Sequence, residues 1–205
     1  GQRLLARRLS DLFVLRVSPR RSWMGVVQTG ETLQGWIASK YHDMQLSEEI
    51  ECLGWPSPYQ NPVRVTQLWG ENPQIYATLN YLGHNGIDFS TGTTTPIFSI
   101  SPGVVQVGYD ASGYGNFVRV EGNSYIVVYA HLSNVVVSNG QYIDTSTPIG
   151  TEGTTGMSTG IHLHLDIRDK RNLEENGYGG RINPLLFIDK TNLILPGYCD
   201  QLNHC

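Results

Sequence analysis

The sequence has little charge and no long hydrophobic run, and each shortage excludes a class of protein. Charged residues make up 16% of the 205 residues, whereas about 25% is usual for globular proteins. The formal net charge is −4, and an acidic balance of this kind argues against nucleic-acid binding. No apolar run reaches the roughly 18 residues that a membrane-spanning helix needs. We therefore expect no transmembrane segment.

Cysteine is also scarce. The three cysteines are Cys52, Cys199 and Cys205, an odd number that includes no C-x-x-C pair. This pattern supports neither a disulfide framework nor a cysteine-ligated zinc site. Cys199 and Cys205 either form a disulfide in an oxidising compartment or remain free thiols, and the sequence leaves both alternatives open.

Glycine and short hydrophobic runs, by contrast, are abundant. The chain holds 23 glycines, and 40% of its residues are hydrophobic, which is enough for one good-sized domain with its own core. Over residues 63–190, runs such as NFVRVEG and SYIVVYAHL alternate with glycine-rich turns. This alternation predicts a mainly antiparallel β domain. The proline-rich stretch 56–62 predicts a linker before it, and residues 191–205 form a tail.

Basic residues concentrate near the first residues of the chain, where residues 1–21 contain six arginines and one aspartate. Leucines recur there near helical spacing, at Leu5, Leu9, Leu12 and Leu15. We therefore predict that residues 1–22 form a basic arm with a short amphipathic helix that ends at Pro19. This helix either docks on an acidic partner or a membrane surface, or packs on its own domain or within a larger assembly.

The segment 23–62 carries a local resemblance. The runs V-Q-T-G-E-T-L (27–33) and I-A-S-K-Y (37–41) resemble the opening of a LysM module, a small βααβ domain that binds N-acetylglucosamine polymers. Residues 46–53 would supply the second helix of that module, whereas its usual closing strand is not evident. The segment is therefore either a degenerate LysM module that binds glycan or an unrelated helical lead-in.

One motif aligns three polar residues on a strand. In I-H-L-H-L-D-I (161–167), alternate side chains share a face, so His162, His164 and Asp166 point one way and the apolar residues the other. Two residues of strand rise place the two histidines about 6.6 Å apart, close enough to reach one small site. The alternative is an accidental pair of surface histidines. Asp166 either fixes the tautomer of a histidine ring or is an ordinary solvated carboxylate.

Two further motifs contribute histidine and aspartate. In H-N-G-I-D (84–88), His84 and Asp88 can converge if the chain curls at Gly86. Together with one more imidazole they form a set of ligands that zinc accepts in catalytic sites. In Y-A-H-L (129–132), strand alternation predicts Tyr129 and His131 on one face. A lone histidine at a strand end is usually structural.

Taken together, these motifs resemble the lysostaphin-type zinc peptidoglycan endopeptidases. The resemblance covers residues 67–164 and rests on the following runs: Q-L-W-G-E-N-P-x-x-Y (67–76), G-H-N-G-I-D-F (83–89), T-P-I (95–97), S-P-G-V-V (101–105), G-Y-G-N-F-V (113–118), Y-A-H-L (129–132), G-Q-Y-I (140–143), P-I-G (148–150) and G-T-T-G-x-S-T-G-x-H-L-H (153–164).

The resemblance implies a fold and a site. The fold is an antiparallel β-sheet groove over residues 63–190, with a small helical N-terminal extension. One Zn²⁺ per chain would be bound by His84, Asp88 and His164, and His131 and His162 would be the catalytic pair beside it. The sequence has no H-E-x-x-H motif to place a glutamate as general base. The two histidines therefore divide the roles of base and oxyanion stabiliser in an order that the sequence leaves open.

Two tyrosines precede the first ligand. Tyr76 and Tyr81 either line the groove or donate to the oxyanion, or they simply pack.

The function that the resemblance implies is hydrolysis of peptide bonds in peptidoglycan stems or cross-bridges. The LysM-like segment would hold glycan near the groove, and the location would be extracellular or in the cell envelope. A secreted bacterial enzyme and a virion-associated phage lysin fit equally well. The rival interpretation is a non-hydrolytic cell-wall-binding module or a structural component of a phage tail.

Overall fold

The computed structural model describes residues 54–171 and 175–196, together with the backbone of 7–9, 12–17 and 23–27. The chain divides into two compact units, Gly1–Glu51 and Cys52–Cys205. Within the described residues, no helix is long and apolar enough to cross a bilayer. All three cysteines lie outside the described residues, so the pairing of Cys199 with Cys205 stays a prediction.

The first unit contains strands where the basic arm was expected to be helical. Strands β1 (Arg7–Leu9), β2 (Leu12–Val17) and β3 (Trp23–Val27) form an antiparallel sheet in the order β1-β2-β3. The helix prediction is therefore wrong for these residues. The run L-F-V-L-R-V of β2 is rich in β-branched and aromatic residues, which favour strands. Pairing along both edges of β2 then supplies the backbone hydrogen bonds that leucine spacing alone does not reveal.

The LysM-like segment is only partly described. Strand β3 (Trp23–Val27) lies where the module would begin, but it pairs with β2, which precedes it. The second helix predicted over residues 46–53 lies outside the described residues.

The second unit is built on β-strands, which are β4 (Val63–Gln67), β5 (Ile87–Ser90), β6 (Pro96–Phe98), β7 (Gly103–Asp110), β8 (Gly115–Glu121), β9 (Tyr125–Leu132), β10 (Asn134–Val135), β11 (Tyr142–Ile143), β12 (Pro148–Thr151), β13 (Leu163–Asp169), β14 (Arg181–Ile182) and β15 (Leu193–Ile194). Nine of them form one sheet in the order β11-β7-β8-β9-β13-β5-β4-β15, with β14 beside β13. Its pairs are antiparallel except for β4 with β15, and β10, β12 and β6 form a separate small sheet. The mainly antiparallel fold is therefore confirmed.

Helical structure is limited in this unit. The described residues contain one four-residue helix, α1 (Pro73–Tyr76), and two 3₁₀ turns, Ala77–Leu79 and Pro184–Leu186.

The core lies on one face of the large sheet, and the side chains between the core residues therefore lie on the other face. Along β13, Leu163, Leu165 and Ile167 are fully buried in the apolar cluster that also holds Ile97 and Ile149 of the small sheet. Each such side chain contributes about 1.5–3 kcal/mol to folding. Because strand side chains alternate, the intervening residues must point to the opposite face. A polar groove follows this face.

The contacts of the second unit extend past the boundaries 63 and 190 that the sequence predicted. Tyr59 is buried, and its ring lies 5.9 Å from that of Phe89. Trp55 forms a bridge with Ile188, and β15 pairs with β4. The stretch assigned to a linker and the start of the tail are thus parts of this unit.

Candidate metal centre

Three side chains converge on the groove face of the large sheet. His84 Nε2 and His164 Nδ1 lie 3.0 Å apart. Asp88 Oδ1 lies 3.0 Å from that His164 nitrogen and 3.2 Å from that of His84. Asp88 and His164 are direct neighbours across the antiparallel pair β5–β13, where Cβ atoms approach to about 4.5–5.5 Å. Sheet register therefore brings two of the three together.

His84 reaches the site from a loop that is hydrogen-bonded on both sides. Its backbone N–H donates to Glu71 O at 2.9 Å, and its carbonyl accepts from Gly70 N at 2.8 Å. Its Nδ1 lies 3.1 Å from Leu68 O. Because a carbonyl can only accept, Nδ1 carries the proton and Nε2 is left with a lone pair that faces the site.

Gly86 lets the turn between His84 and Asp88 lie close to β13. Its φ is outside the left-handed region, but a Cβ at this position would lie 2.5 Å from Leu165 O and 2.6 Å from His164 Cε1. The prediction that His84 and Asp88 converge around Gly86 is confirmed. The reason is the missing side chain, which lets this turn press against β13.

Gly86→Ala is expected to displace the His164 ring and to destabilise the fold by about 1–3 kcal/mol, the usual cost of overpacking. We expect a lower melting temperature and weaker metal binding, measured by thermal unfolding with and without zinc. Gly160→Ala is the matched control, since a Cβ there meets nothing within 4 Å. Unchanged stability and metal affinity in Gly86→Ala would contradict this account of the turn.

The donor set fits a divalent cation such as zinc. Three electron-pair atoms that lie 3.0–3.2 Å apart repel one another unless a proton or a cation lies among them. A tetrahedral ion with bonds of about 2.0–2.1 Å separates its ligands by roughly 3.3–3.4 Å. Two imidazoles and one carboxylate form a ligand set of catalytic zinc sites and leave a fourth position open. Among the described residues these three side chains are the group placed to hold an ion.

The pKa values of Asp88 and His164 also indicate that a positive charge belongs among the three side chains. Burial alone would raise the pKa of Asp88, yet hydrogen bonds and charge interactions with His164 and His84 hold it well below its ordinary range. Burial alone would lower the pKa of His164, but Asp166 and Asp88 outweigh it and raise the pKa to about 9. Without a bound cation, a proton on His164 balances the carboxylates. A bound metal ion would supply the positive charge in place of that proton.

His131 reaches the groove through a β-bulge. Strand alternation predicted His131 on the face of Tyr129, and this prediction is wrong. Asn116 pairs with Leu132 while Val118 pairs with Tyr129, so β9 has one residue more than β8 in between. His131 takes a left-handed φ of 63°, a conformation that costs about 1–3 kcal/mol outside glycine. The bulge leaves Tyr129 in the core and turns His131 into the groove.

His131 and His162 present equivalent nitrogens to the groove. His131 Nδ1 donates to Thr155 O at 2.8 Å, and His162 Nδ1 donates to Gly160 O at 2.8 Å. Each Nε2 is therefore the nitrogen with the free lone pair. The ring centroids lie 4.6 Å apart, and His162 Nε2 is 3.9 Å from Asp88 Oδ2. Burial lowers the pKa of His131 to about 4, so this imidazole is neutral at pH 7.

The groove around these residues has a volume of about 520 Å³. Tyr76 and Tyr81 line it, as one of the alternatives predicted. The Tyr76 ring lies 5.2 Å from that of His84. Two exposed apolar side chains, Ile75 and Met157, add hydrophobic surface to its walls.

A buried polar group lies behind the site, and the sequence singled out only its aspartate for a role there. Asp166 is fully buried, so the alternative of a solvated carboxylate is wrong. It accepts hydrogen bonds from Tyr114 Oη and from Arg181 Nε, the latter at 3.1 Å. Burial alone would raise the pKa of Asp166, but the nearby His164 and the charge of Arg181 lower it to about 2. Tyr114 stands in the G-Y-G-N motif, whereas nothing in the sequence singles out Arg181.

Ser158 also lies near a histidine. Residues 156–160 read G-M-S-T-G, the G-x-S-x-G pattern of a serine nucleophile, which requires a strand–turn–helix context. Here the run is a loop that precedes β13. The Ser158 hydroxyl lies 2.8 Å from Gly160 O and 3.2 Å from His162 Nδ1. Since that nitrogen already donates to Gly160 O, it cannot act as a base toward Ser158.

The geometry defines a class of site, namely a candidate metal site of two histidines and one aspartate on the polar face of a β-sheet. Residues 82–183 match the sequence model of peptidase family M23. The chain contains a domain of this metallopeptidase family. The resemblance drawn from the motifs is thus confirmed for the peptidase domain, whereas the match does not extend to the LysM-like segment.

Relatives and solved structures agree with this assignment. The chain is 35% identical over 130 residues to an uncharacterized metalloprotease of Haemophilus influenzae, covering 62% of this chain and 26% of that protein. It is 39% identical over 85 residues to the peptidoglycan DD-endopeptidase ShyA of Vibrio cholerae, covering 41% and 20%. A zinc containing peptidase from Vibrio cholerae is similar in structure, with a TM-score of 0.51 at 26% identity, covering 68% and 41%. This chain thus spans less than half the length of each.

Proposed function

We propose that this protein is a zinc metalloendopeptidase that hydrolyses peptide bonds in the stems or cross-bridges of bacterial peptidoglycan. The observation that carries the proposal is the convergence of His84, Asp88 and His164 within 3.0–3.2 Å beside two further imidazoles. Zinc is favoured over magnesium and calcium because two of the three ligands are imidazole nitrogens. The substrate class is supported by the similarity to ShyA.

His84, Asp88 and His164 would hold the zinc ion. When bound, the ion supplies Lewis acidity for the scissile carbonyl and lowers the pKa of water toward about 7. His131 is neutral at pH 7 and turns its Nε2 lone pair into the groove, so it can take the proton of the attacking water. His162 lies beside it and can stabilise the oxyanion or serve the leaving amine. The reverse division of the two roles is equally compatible with these contacts.

The alternative of a non-hydrolytic wall-binding or phage-tail module is not favoured. A binding module needs no set of three ligand atoms and no pair of imidazoles with free Nε2 atoms beside it. Glycan binding by residues 23–62 and assembly through residues 1–22 stay predictions. Because peptidoglycan lies outside the cytoplasmic membrane, we propose an extracellular or cell-envelope location, as a secreted enzyme or a virion-associated lysin.

Digestion of purified peptidoglycan tests the proposal. We expect zinc-loaded protein to release fragments with a newly hydrolysed peptide bond, and a chelator to suppress this release completely. Two substrates would be digested, one with direct stem-to-stem cross-links and one with glycine bridges. Mass spectrometry of the products would identify the bond that is cleaved. Cleavage of glycan or of the lactyl-amide bond would show that the reaction is wrong. No release from either substrate by zinc-loaded protein would contradict the endopeptidase activity.

A further inference from the structure

We propose that Asp166 is a positioning residue for the metal site: it accepts the Nε2–H of His164 and so directs Nδ1 toward His84 and Asp88, while Arg181 holds the carboxylate in place. This inference rests on the proposed metal-dependent function, since it concerns how one ligand is presented. It adds a buried side chain behind the site to the three proposed ligands and the two proposed catalytic histidines.

The side chains of His164 and Asp166 lie close to each other behind the site. His164 and Asp166 alternate with core leucines on β13 and therefore share the groove face. His164 Nε2 lies 3.8 Å from Asp166 Oδ2. Neither that nitrogen nor Asp166 Oδ1 has another hydrogen-bond partner among the described residues. Leaving a buried polar atom unpaired costs about 1–3 kcal/mol. A displacement of less than about 1 Å would bring donor and acceptor to hydrogen-bond distance.

Arg181 and Tyr114 hold the carboxylate of Asp166 in place. Arg181 Nε lies 3.1 Å from Asp166 Oδ2, and both side chains are at most 6% exposed. Tyr114 Oη donates to the same oxygen, and the Arg181 guanidinium also contacts Tyr178 O at 3.3 Å. A buried carboxylate paired with arginine stays ionised and can only accept hydrogen bonds. The nitrogen that faces Asp166 must then be the one that carries a proton.

The two histidines present different ring nitrogens to the site. His84 has an acceptor, Leu68 O, behind Nδ1 and presents Nε2 to the site. His164 has the carboxylate of Asp166 behind Nε2, at 3.8 Å, and presents Nδ1. The ring nitrogen that bonds a metal is set by the hydrogen bond of the other nitrogen. One rule therefore explains both orientations.

The test is Asp166→Asn, which keeps the shape of the side chain and removes its charge. We expect zinc affinity, measured by competition with a chromophoric chelator, to fall about 10–100-fold, the usual cost of losing a residue that orients a ligand. In zinc-loaded wild-type protein, the Nε2–H proton of His164 should give a strongly downfield, slowly exchanging NMR signal. In the variant this signal should move upfield and exchange faster.

Glu152→Gln is the matched control, because Glu152 is equally buried and accepts hydrogen bonds from Tyr59 and Thr91. A merely structural role for Asp166 would lower the melting temperature of both variants and leave zinc affinity and the proton signal unchanged, which would overturn the inference. If Asp166→Asn does not fold, Tyr114→Phe removes one donor to the carboxylate, and we expect a several-fold loss of affinity. Unchanged affinity there would also overturn it. Failure of the wild-type protein to bind zinc would instead contradict the proposed function.

Discussion

His164→Ala is expected to abolish peptidoglycan hydrolysis and most zinc binding. The substitution removes one of three ligand atoms and leaves only those of His84 and Asp88, which lie 3.2 Å apart. Losing a residue that only orients a ligand costs about 10–100-fold in metal affinity, so losing the ligand itself should cost more. Zinc content after gel filtration and chelator competition measure the binding, and product release from peptidoglycan measures the activity.

The fold should survive this change. Leu163 and Leu165 remain in the core on either side of the altered position. Arg168→Ala is the control, since Arg168 lies on the same strand and outside the three-residue site, and it should keep full zinc content. Stoichiometric zinc in His164→Ala at wild-type affinity would remove His164 from the set of ligands.

His131→Ala is expected to abolish most activity while sparing zinc. General acid–base groups contribute about 10²–10⁴-fold to rate, and we expect a loss in that range. His131 donates from Nδ1 to Thr155 O, and its ring centroid lies 6.0 Å from that of His164. The low pKa of its buried ring, about 4, keeps it neutral at pH 7. Turnover of peptidoglycan fragments and zinc affinity would be measured on the same preparation.

The left-handed backbone of His131 calls for a second variant. With a φ of 63°, alanine at this position carries strain that asparagine tolerates better. His131→Asn therefore separates the loss of the imidazole from the loss of local geometry, and it should be as inactive as the alanine variant but more stable. Equal loss of zinc in the His131 and His164 variants would contradict the division between catalytic residue and ligand.

Much of the site could be predicted because its pattern is local. The period of two along β13 separates Leu163 and Leu165 from His164, whatever the strand packs against. His84 and Asp88 lie four residues apart, so one turn suffices to join them. The resemblance to lysostaphin-type endopeptidases added the expectation that these separate motifs belong to one site.

Two predictions were wrong because local patterns are ambiguous. The leucine spacing of the arm fits a helix, yet the β-rich run of β2 gains a partner on each edge. The alternation of β9 is broken at His131 by a residue that has no counterpart in β8. Such a bulge depends on how β9 pairs with β8, so the sequence of β9 alone does not predict it.

The sequence by itself determined the β class and the polar face of β13, because each follows from residues within a few positions of one another, and the family resemblance of its motifs implied the candidate ligands. Tertiary structure alone decided which groups lie behind those ligands. Asp166 accepts hydrogen bonds from Arg181, 15 residues away in the sequence, and from Tyr114, 52 residues away. Leu68 O, which sets the tautomer of His84, lies 16 residues from it. Contacts of this kind depend on sheet register and loop closure, which are properties of the whole folded domain.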